Sequence, residues 1–374
     1  MQMDWTHGDY TIAWICALPL EMAAAKLMLE RIHPLLSQPQ TDHNVYTLGS
    51  ISGHNIVIAC LPSGVYGTTS AAIVLDQMLP TFPCLRFGLM VGVGGGVPNP
   101  SKYDIRLGDV VVSMPTSGAT VGGVIQYDYG KALHNGSFQQ TGSLNKPPRF
   151  LLTAISQMRS EDLLGDVPSR IAELISGILE SREPRVRDQF ARPDQDWLFK
   201  PGYYHYQRED TDCSACDQAH LEVRKPRQSK KPIVYYGLIA SANQVMKNPI
   251  RRDTLAQEMD ILCFEMEAAG LMDQLPCLVV RGISDYCDSH KHKDWQGYAA
   301  LTAAAYAKML LDVVPSRHRK DPAQHGPLLW VSGTPGCGKS FIAQNIIAAL
   351  QERFPHLGLL VGFTKRSAWQ LRKL

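Results

Sequence analysis

The sequence predicts an α/β fold, a mixed twisted sheet with helices on both faces. Three observations lead to this prediction. Apolar runs of strand length recur along the chain, helical patterns follow several of them, and glycine-rich turns separate the two. Such alternation is typical of a sheet whose strands are covered by helices. The predicted strands lie within residues 11–16, 56–59, 88–97, 106–113, 233–237 and 277–280.

The first predicted strand runs directly into a helix over residues 11–22. Glu21 is the first acidic residue after this strand. An isolated Glu at this position would be a first-turn residue that the helix dipole favours. Open α/β sheets bind ligands beyond the carboxyl ends of their strands, so Glu21 is also a candidate catalytic group.

Two glycine-rich turns follow predicted strands. The strand over residues 88–97 ends in a turn that contains Gly94 and Gly95, and residues 63–69 precede a helical run over 71–75. Glycine allows backbone N–H groups to approach an anion or a sugar closely. We therefore expect both turns to contact a ligand.

Two acidic segments lie near the end of the main domain. The first contains Glu265, Met266 and Glu267 and leads into a small-residue run that resembles a helix. The second contains Ser284 and Asp285, which follow the buried strand predicted over residues 277–280. Glycoside cleavage uses one carboxylate to hold sugar hydroxyls and an acid to protonate the leaving group. These segments therefore predict a glycosidic-bond site.

Composition places the chain among soluble globular proteins. It has 374 residues, 45% of them hydrophobic, and a formal net charge of +2. This balance gives no reason to expect a nucleic-acid or membrane surface. No run has the length of a spanning helix, and the N-terminus lacks an apolar secretory core. Nine scattered cysteines indicate a reducing compartment, and we predict a cytoplasmic location.

Three segments follow one another along the chain. We predict a main domain over residues 8–315 with an insertion at about 136–232, a linker over 316–326 and a separate segment over 327–374. The insertion begins with helical periodicity and continues as a polar, charged stretch that an α/β core does not need.

The insertion contains Cys213 and Cys216, with His220 nearby. This spacing is how a zinc site can begin, but no second pair of ligands follows. We predict an unliganded surface loop, and neither metal nor cofactor is predicted anywhere in the chain. Residues 290–293, which alternate His and Lys, are interpreted as a solvated loop or as cations that contact substrate phosphates.

The final segment contains a complete phosphate-binding loop. An apolar strand over residues 328–332 runs into the loop and then into a helical pattern over 341–350. Only 34 residues follow the loop, too few for a working NTPase, so we interpret the segment as truncated and inactive alone. The loop residues that would contact phosphate or magnesium are Gly333, Gly338, Lys339 and Ser340.

The order of these motifs resembles the purine and uridine phosphorylase superfamily over residues 8–312, and most of all its methylthioadenosine/S-adenosylhomocysteine nucleosidase branch. The resemblance implies that Glu21 activates water and that Met266 and Glu267 hold the ribose. It further implies that Ser284 and Asp285 face the purine, without a cofactor. The adenine-stacking segment is matched by Val245 and Met246, with Val245 where the family has an aromatic residue.

The resemblance leaves the nucleophile and the biological context to be decided. The phosphorylases carry an arginine after the first strand, where this chain has Glu21, so hydrolysis is favoured over phosphorolysis. A phosphorylase and a non-catalytic nucleoside-binding module remain alternatives. The combination with a phosphate-binding loop resembles the fungal NACHT receptors. That resemblance implies an effector enzyme acting on a purine nucleoside or nucleotide, including ATP. The phosphorylase superfamily commonly completes its sites with a neighbouring subunit, so the first resemblance implies a homo-oligomer, with residues 127–130 as a candidate contact surface.

Overall fold

The computed structural model describes residues 5–316, apart from 100–101, 117–121, 135–137, 206–212 and 292. Beyond residue 316 it describes the backbone of three short strands. The chain divides into two compact units, Met1–Ser316 and Arg317–Leu374. The predicted phosphate-binding loop, including Gly333, Gly338, Lys339 and Ser340, lies outside the described residues, as does nearly all of the predicted linker.

The first unit contains twelve described strands and seven α-helices. The strands are β1 (Ile12–Cys16), β2 (Arg31–Ile32), β3 (Tyr46–Ile51), β4 (His54–Cys60), β5 (Phe87–Gly96), β6 (Val110–Ser113), β7 (Val124–Gln126), β8 (Gly130–Ala132), β9 (Phe138–Gln140), β10 (Val234–Ser241), β11 (Ile261–Glu265) and β12 (Cys277–Asp285). The helices are α1 (Pro19–Met28), α2 (Thr68–Thr81), α3 (Arg149–Leu163), α4 (Asp166–Glu180), α5 (Pro184–Phe190), α6 (Pro249–Met259) and α7 (Asp294–Val313).

Ten of these strands form one mixed sheet, which confirms the predicted fold class. The order is β11-β10-β6-β12-β5-β1-β4-β3-β2, with β7 paired to β10. The central strands β12, β5, β1 and β4 are mutually parallel. Their carboxyl ends therefore meet at one edge, where an α/β sheet binds its ligands.

An additional pairing closes part of this sheet on itself. The glycine-rich end of β5 pairs antiparallel with β11, Gly95 opposite Phe264 and Gly96 opposite Cys263. Strands β5, β12, β6, β10 and β11 therefore form a closed ring. Glycine is required at this approach, because a Cβ atom on Gly94 would lie 2.5 Å from the Cys263 sulfur. The closure brings the end of β11 to the ends of β5 and β12.

Helix α7 is the main helical cover of the sheet. It packs against β12 and β5, and its alanines allow a close approach. The backbone of Gly282 on β12 leaves no room for a Cβ atom because the Ala299 carbonyl occupies that space. This contact fixes the position of β12 against α7, and with it the position of the residues at the carboxyl end of β12.

Helices α3, α4 and α5 lie in the stretch predicted to be an insertion, yet they pack against α7. Leu151, Ile155, Val167, Ile171 and Phe190 are buried in the main hydrophobic core. The expectation that the core does not need this stretch is wrong for its helical part. The amphipathic pattern of α3 and α4 exists because these helices cover α7.

The second unit contains three short strands, β13 (Trp330–Val331), β14 (Leu359–Phe363) and β15 (Trp369–Lys373). Strand β15 pairs antiparallel with both β13 and β14. No described helix of the chain is both long and apolar enough to cross a membrane.

Truncating Leu151 should destabilise the first unit, because this side chain on α3 is fully buried. We expect Leu151→Ala to lower the free energy of unfolding by about 2–5 kcal/mol, measured by urea denaturation. Leu163→Ala, on the same helix but 90% exposed, is the matched control and should stay within about 0.5 kcal/mol of the wild type. Equal effects of the two substitutions would show that α3 is not part of the core.

Candidate active site

A cavity opens where the carboxyl ends of β1, β5, β11 and β12 converge. It is lined by all ten residues that the sequence predicted for catalysis and substrate binding. They are Glu21, Gly94, Gly95, Val245, Met246, Glu265, Met266, Glu267, Ser284 and Asp285. The cavity therefore unites residues that lie up to 264 positions apart in the chain.

Glu21 is a buried carboxylate held by backbone N–H groups. It is the third residue of α1, and its Oε2 accepts hydrogen bonds from Ala17 N at 2.6 Å and Leu18 N at 3.0 Å. Its Oε1 accepts a third hydrogen bond, at 2.7 Å, from the backbone N–H of Val93 in β5. The donors of two strand ends thus converge on one side chain.

Arg281 lies at the centre of an acidic cluster and is completely buried. Its Nη2 donates to Glu265 Oε2 and, at 3.4 Å, to Glu267 Oε2. Its Nη1 lies 4.0 Å from Glu21 Oε1. No role was predicted for Arg281 from the sequence. Its position, directly after the apolar run of the buried strand β12, could have indicated one, because a buried cation requires an acidic partner.

One cation facing three carboxylates leaves a surplus of buried negative charge. Burial raises the pKa of Glu267 to about 7, and the neighbouring Glu265 carboxylate adds to the effect while Arg281 opposes it. Burial also raises the pKa of Glu21, against the attraction of Arg281 and its three N–H donors. Glu21 and Glu267 are therefore better bases than exposed carboxylates.

Asp285 occupies a different electrostatic environment. Its carboxylate accepts hydrogen bonds from Cys287 N at 3.0 Å and Ser284 Oγ at 3.1 Å, and pairs with Lys291 Nζ at 2.9 Å. Burial raises the pKa of Asp285, but Lys291 and these hydrogen bonds outweigh it and lower the net pKa. Asp285 is therefore ionised, next to an ammonium group.

Lys291 therefore pairs with a cavity carboxylate, whereas the sequence analysis expected residues 290–293 to be solvated or to contact substrate phosphates. His290 is buried, away from solvent, and does not line the cavity. The alternating His and Lys pattern resembled a surface loop because the partners of these side chains lie on other segments of the chain.

Both carboxylates approach the glycine-rich end of β5. Gly94 and Gly95 are part of this extended strand, so the turn predicted there is wrong. A Cβ atom on Gly92 would overlap the Glu21 carboxylate, and one on Gly95 would lie 2.8 Å from Asp285 Oδ1. These glycines are three residues apart, which is about 10 Å of extended chain. Glu21 and Asp285 thus approach β5 at two separate positions, and both line the cavity.

The rim of the cavity is partly apolar and open. Met246 is buried, whereas Val245 is 48% exposed and Tyr66 is 44% exposed. Tyr66 follows β4 in the second predicted glycine-rich turn, and Gln296 lies in the first turn of α7. Tyr66 lies within residues 63–69, which were expected to contact a ligand, whereas Gln296 was assigned no role from the sequence. Phe264 adds an aromatic wall.

Comparisons with known proteins agree with this architecture. The chain is 49% identical over 307 residues to a nucleotide-binding leucine-rich repeat (NLR)-like protein of Hyaloscypha variabilis, covering 82% of this chain but only 29% of that protein. It is 22% identical over 312 residues to a 5'-methylthioadenosine/S-adenosylhomocysteine nucleosidase of Mycobacterium bovis, covering 82% of this chain and 97% of the nucleosidase.

Two further comparisons concern the two units separately. Residues 311–371 match the family model of the nephrocystin 3 N-terminal region. The crystal structure of a putative 5'-methylthioadenosine/S-adenosylhomocysteine nucleosidase from Borrelia burgdorferi, bound to adenine, superimposes with a TM-score of 0.51. The two chains are 15% identical, and the match covers 81% of this chain and all of the other. The first unit of this protein therefore has a nucleosidase-type fold.

Proposed function

We propose that the first unit is a purine nucleosidase that hydrolyses the N-glycosidic bond of a purine nucleoside or nucleotide. The observation that carries the proposal is the placement of two unlike carboxylates at separate positions along the glycine-rich end of β5. Glu21 is a buried base with a raised pKa, and Asp285 is ionised beside the Lys291 ammonium. A base for water and a proton source for the departing purine are the two groups that this hydrolysis needs.

Hydrolysis is favoured over phosphorolysis by the contacts of Glu21. Phosphate would need the N–H groups of Ala17, Leu18 and Val93, all of which donate to the Glu21 carboxylate. A second anion beside this carboxylate would be repelled, whereas a neutral water can donate a hydrogen bond to it. In the proposed reaction, Glu21 takes a proton from this water as its oxygen attacks C1′.

Glu267 and Met266 hold the ribose in the proposed complex. Glu267 in its ionised form accepts hydrogen bonds from the ribose hydroxyls, and this interaction strengthens as positive charge builds on the sugar. Arg281 holds the Glu267 carboxylate in place, because its Nη2 donates a hydrogen bond to Glu267 Oε2 at 3.4 Å. Met266 packs against the sugar in this complex, since it precedes Glu267 in the chain and lines the same cavity.

The leaving purine takes the electron pair of the broken C1′–N9 bond and needs a proton. Asp285, assisted by Ser284, faces N7 of the base in the proposed complex. Because Asp285 is ionised, the proton comes from the Lys291 ammonium through the 2.9 Å contact between Lys291 Nζ and Asp285 Oδ2. Phe264, Val245 and Met246 form the apolar side of the base pocket.

The similarity to the NLR-like relative, of which this chain covers 29%, supports a proposal for the biological context. We infer that the nucleosidase is the enzymatic effector of such a receptor and acts in the cytoplasm on a purine nucleotide, with ATP giving adenine and ribose 5'-triphosphate. Tyr66 and Val245 leave apolar surface exposed at the rim, which a second copy of the chain would cover in a homo-oligomer. Light scattering over a range of concentrations tests this assembly.

Removing either proposed catalytic group should strongly slow base release. Adenosine, inosine, AMP and ATP are incubated separately with the full chain in phosphate-free buffer, and free base is measured by chromatography. We expect Glu21→Gln and Asp285→Asn each to lower the rate by about a hundredfold or more. Glu258→Gln, an exposed acidic residue on α6, is the control and should keep the wild-type rate.

Two outcomes would replace the proposal. Turnover only with added phosphate, yielding ribose 1-phosphate, would make the protein a phosphorylase. Saturable nucleoside binding without release of any base, with or without phosphate, would make it a binding module.

The pH dependence of kcat/KM should have an acid limb near pH 7. The pKa of Glu267 is raised to about 7, and only the ionised carboxylate accepts ribose hydroxyl protons. Below this pH the rate should therefore fall about tenfold per unit, and it should rise to a plateau above it. Because Glu21 is close and also has a raised pKa, the limb belongs to the pair. A profile that stays flat down to about pH 5 contradicts the assignment.

Lys291 should matter only when the leaving group needs a proton. We expect Lys291→Met to lower kcat for purine substrates by about tenfold to a hundredfold, with a smaller change in KM. On 4-nitrophenyl riboside, whose leaving group departs without protonation, the variant should match the wild type. Lys293→Met, an exposed lysine two residues later, is the control. An equal loss on both substrates would assign Lys291 a structural role instead.

A further inference from the structure

A cluster of soft donor atoms lies outside the active-site cavity, in the predicted insertion. The ligand atoms of His205, Cys213 and Cys216 all lie within 4.8 Å of one another. His205 Nδ1 is 3.0 Å from Cys216 Sγ, and Cys213 is buried. Two sulfurs and one imidazole nitrogen at this spacing are the ligands that structural zinc sites use.

The histidine that lies beside the two cysteines is His205, whereas the sequence spacing indicated His220 as the candidate ligand. His220, four residues after Cys216, stacks on the Tyr203 ring at 4.3 Å and lies 3.7 Å from Asp217. It does not belong to the three-residue cluster. His205 takes that place instead, eight residues before Cys213. The backbone N–H of His205 donates to Ser289 Oγ at 2.9 Å, which fixes this end of the insertion against another segment of the chain.

A second, independent observation concerns His290. This side chain is buried, and among the described residues neither of its ring nitrogens has a hydrogen-bond partner. Leaving two buried ring nitrogens unsatisfied is costly unless a further group binds them. The His290 ring lies 5.7 Å from the His205 ring, centre to centre, and the His290 carbonyl accepts a hydrogen bond from Cys213 Sγ at 3.6 Å.

We propose that His205, Cys213, Cys216 and His290 bind one zinc ion. His290 lies just outside the three-residue cluster, so its ring would move toward the metal on binding. Two thiolates and two neutral imidazoles would then complete a tetrahedral site of zero net charge. Asp288 lies 3.8 Å from His290 Nδ1, so its carboxylate would accept a hydrogen bond from that N–H while Nε2 binds the metal. With four protein ligands and no position left for water, this is a structural site.

The zinc ion would fasten the insertion to the segment that carries Lys291. His290 is the neighbour of Lys291 in the chain, and Lys291 pairs with Asp285 in the cavity at 2.9 Å. Metal binding in the insertion would therefore hold in place a cation at the active site without contacting substrate. This coupling goes beyond the proposed reaction, and the site itself can be tested without any activity assay.

The metal content of the full chain tests the proposal directly. After expression and gel filtration without chelator, mass spectrometry of the elements should find about one zinc per chain. Cys213→Ser and Cys216→Ser should lose the zinc, and His205→Ala and His290→Ala should retain it weakly, releasing it to a moderate chelator. His220→Ala and Cys84→Ser are the matched controls, a neighbouring histidine and an exposed cysteine, and should keep the wild-type content.

Cobalt substitution of the wild-type chain avoids relying on variants that may not fold. Co²⁺ added to metal-free protein should give thiolate-to-cobalt charge-transfer absorption and the strong visible bands of tetrahedral cobalt, saturating at about one equivalent. The absence of both zinc and these bands in folded protein would overturn the proposal. A Cys213–Cys216 disulfide in freshly purified protein, or equal zinc loss in His220→Ala, would do the same.

Discussion

The contact between Arg281 and its surrounding carboxylates is the interaction on which the rest of the site depends. A guanidinium with no solvent exposure is stable only when its charge is compensated at short range. Glu265 and Glu267 come from the end of β11, and Glu21 comes from the first turn of α1. Two separate segments are therefore bound electrostatically to one residue of β12. Removing Arg281 would leave three buried carboxylates without their cation, so the cluster specifies how these strand ends converge.

The same cluster sets the chemistry of the cavity. Burial raises the pKa values of Glu21 and Glu267, and the single cation Arg281 opposes this effect without reversing it. At the other end, Lys291 neutralises Asp285 alone and lowers its pKa. One cavity thus contains carboxylates with raised pKa values and a carboxylate with a lowered pKa. The glycines of β5 allow Glu21 and Asp285 to approach the same strand. This separation of pKa values is how enzymes assign acid and base roles to similar side chains.

The sequence predicted the parts of this structure that are encoded locally. Strands such as β12 and the position of Glu21 could be read from a few adjacent residues, and the ten predicted cavity residues do line one cavity. No role was predicted for Arg281, and residues 290–293 were interpreted without the partner of Lys291, because both roles depend on groups that are brought close only by folding. The proposed zinc ligands His205 and His290 were not recognised for the same reason, since 85 residues separate them in the chain. Helices α3 and α4 were underestimated because the surface that they cover, on α7, is more than a hundred residues away.

The three N–H groups that hold Glu21 have a consequence for the direction of the proposed reaction. Because an acidic side chain built into the protein fills this cradle, inorganic phosphate has no place in it. Phosphorolysis conserves the energy of the glycosidic bond in a sugar phosphate and can run backwards to rebuild the nucleoside. Hydrolysis conserves none of that energy and is effectively irreversible. For the proposed nucleosidase, this single carboxylate would make the loss of its substrate permanent, so that a nucleotide pool once consumed must be synthesised again.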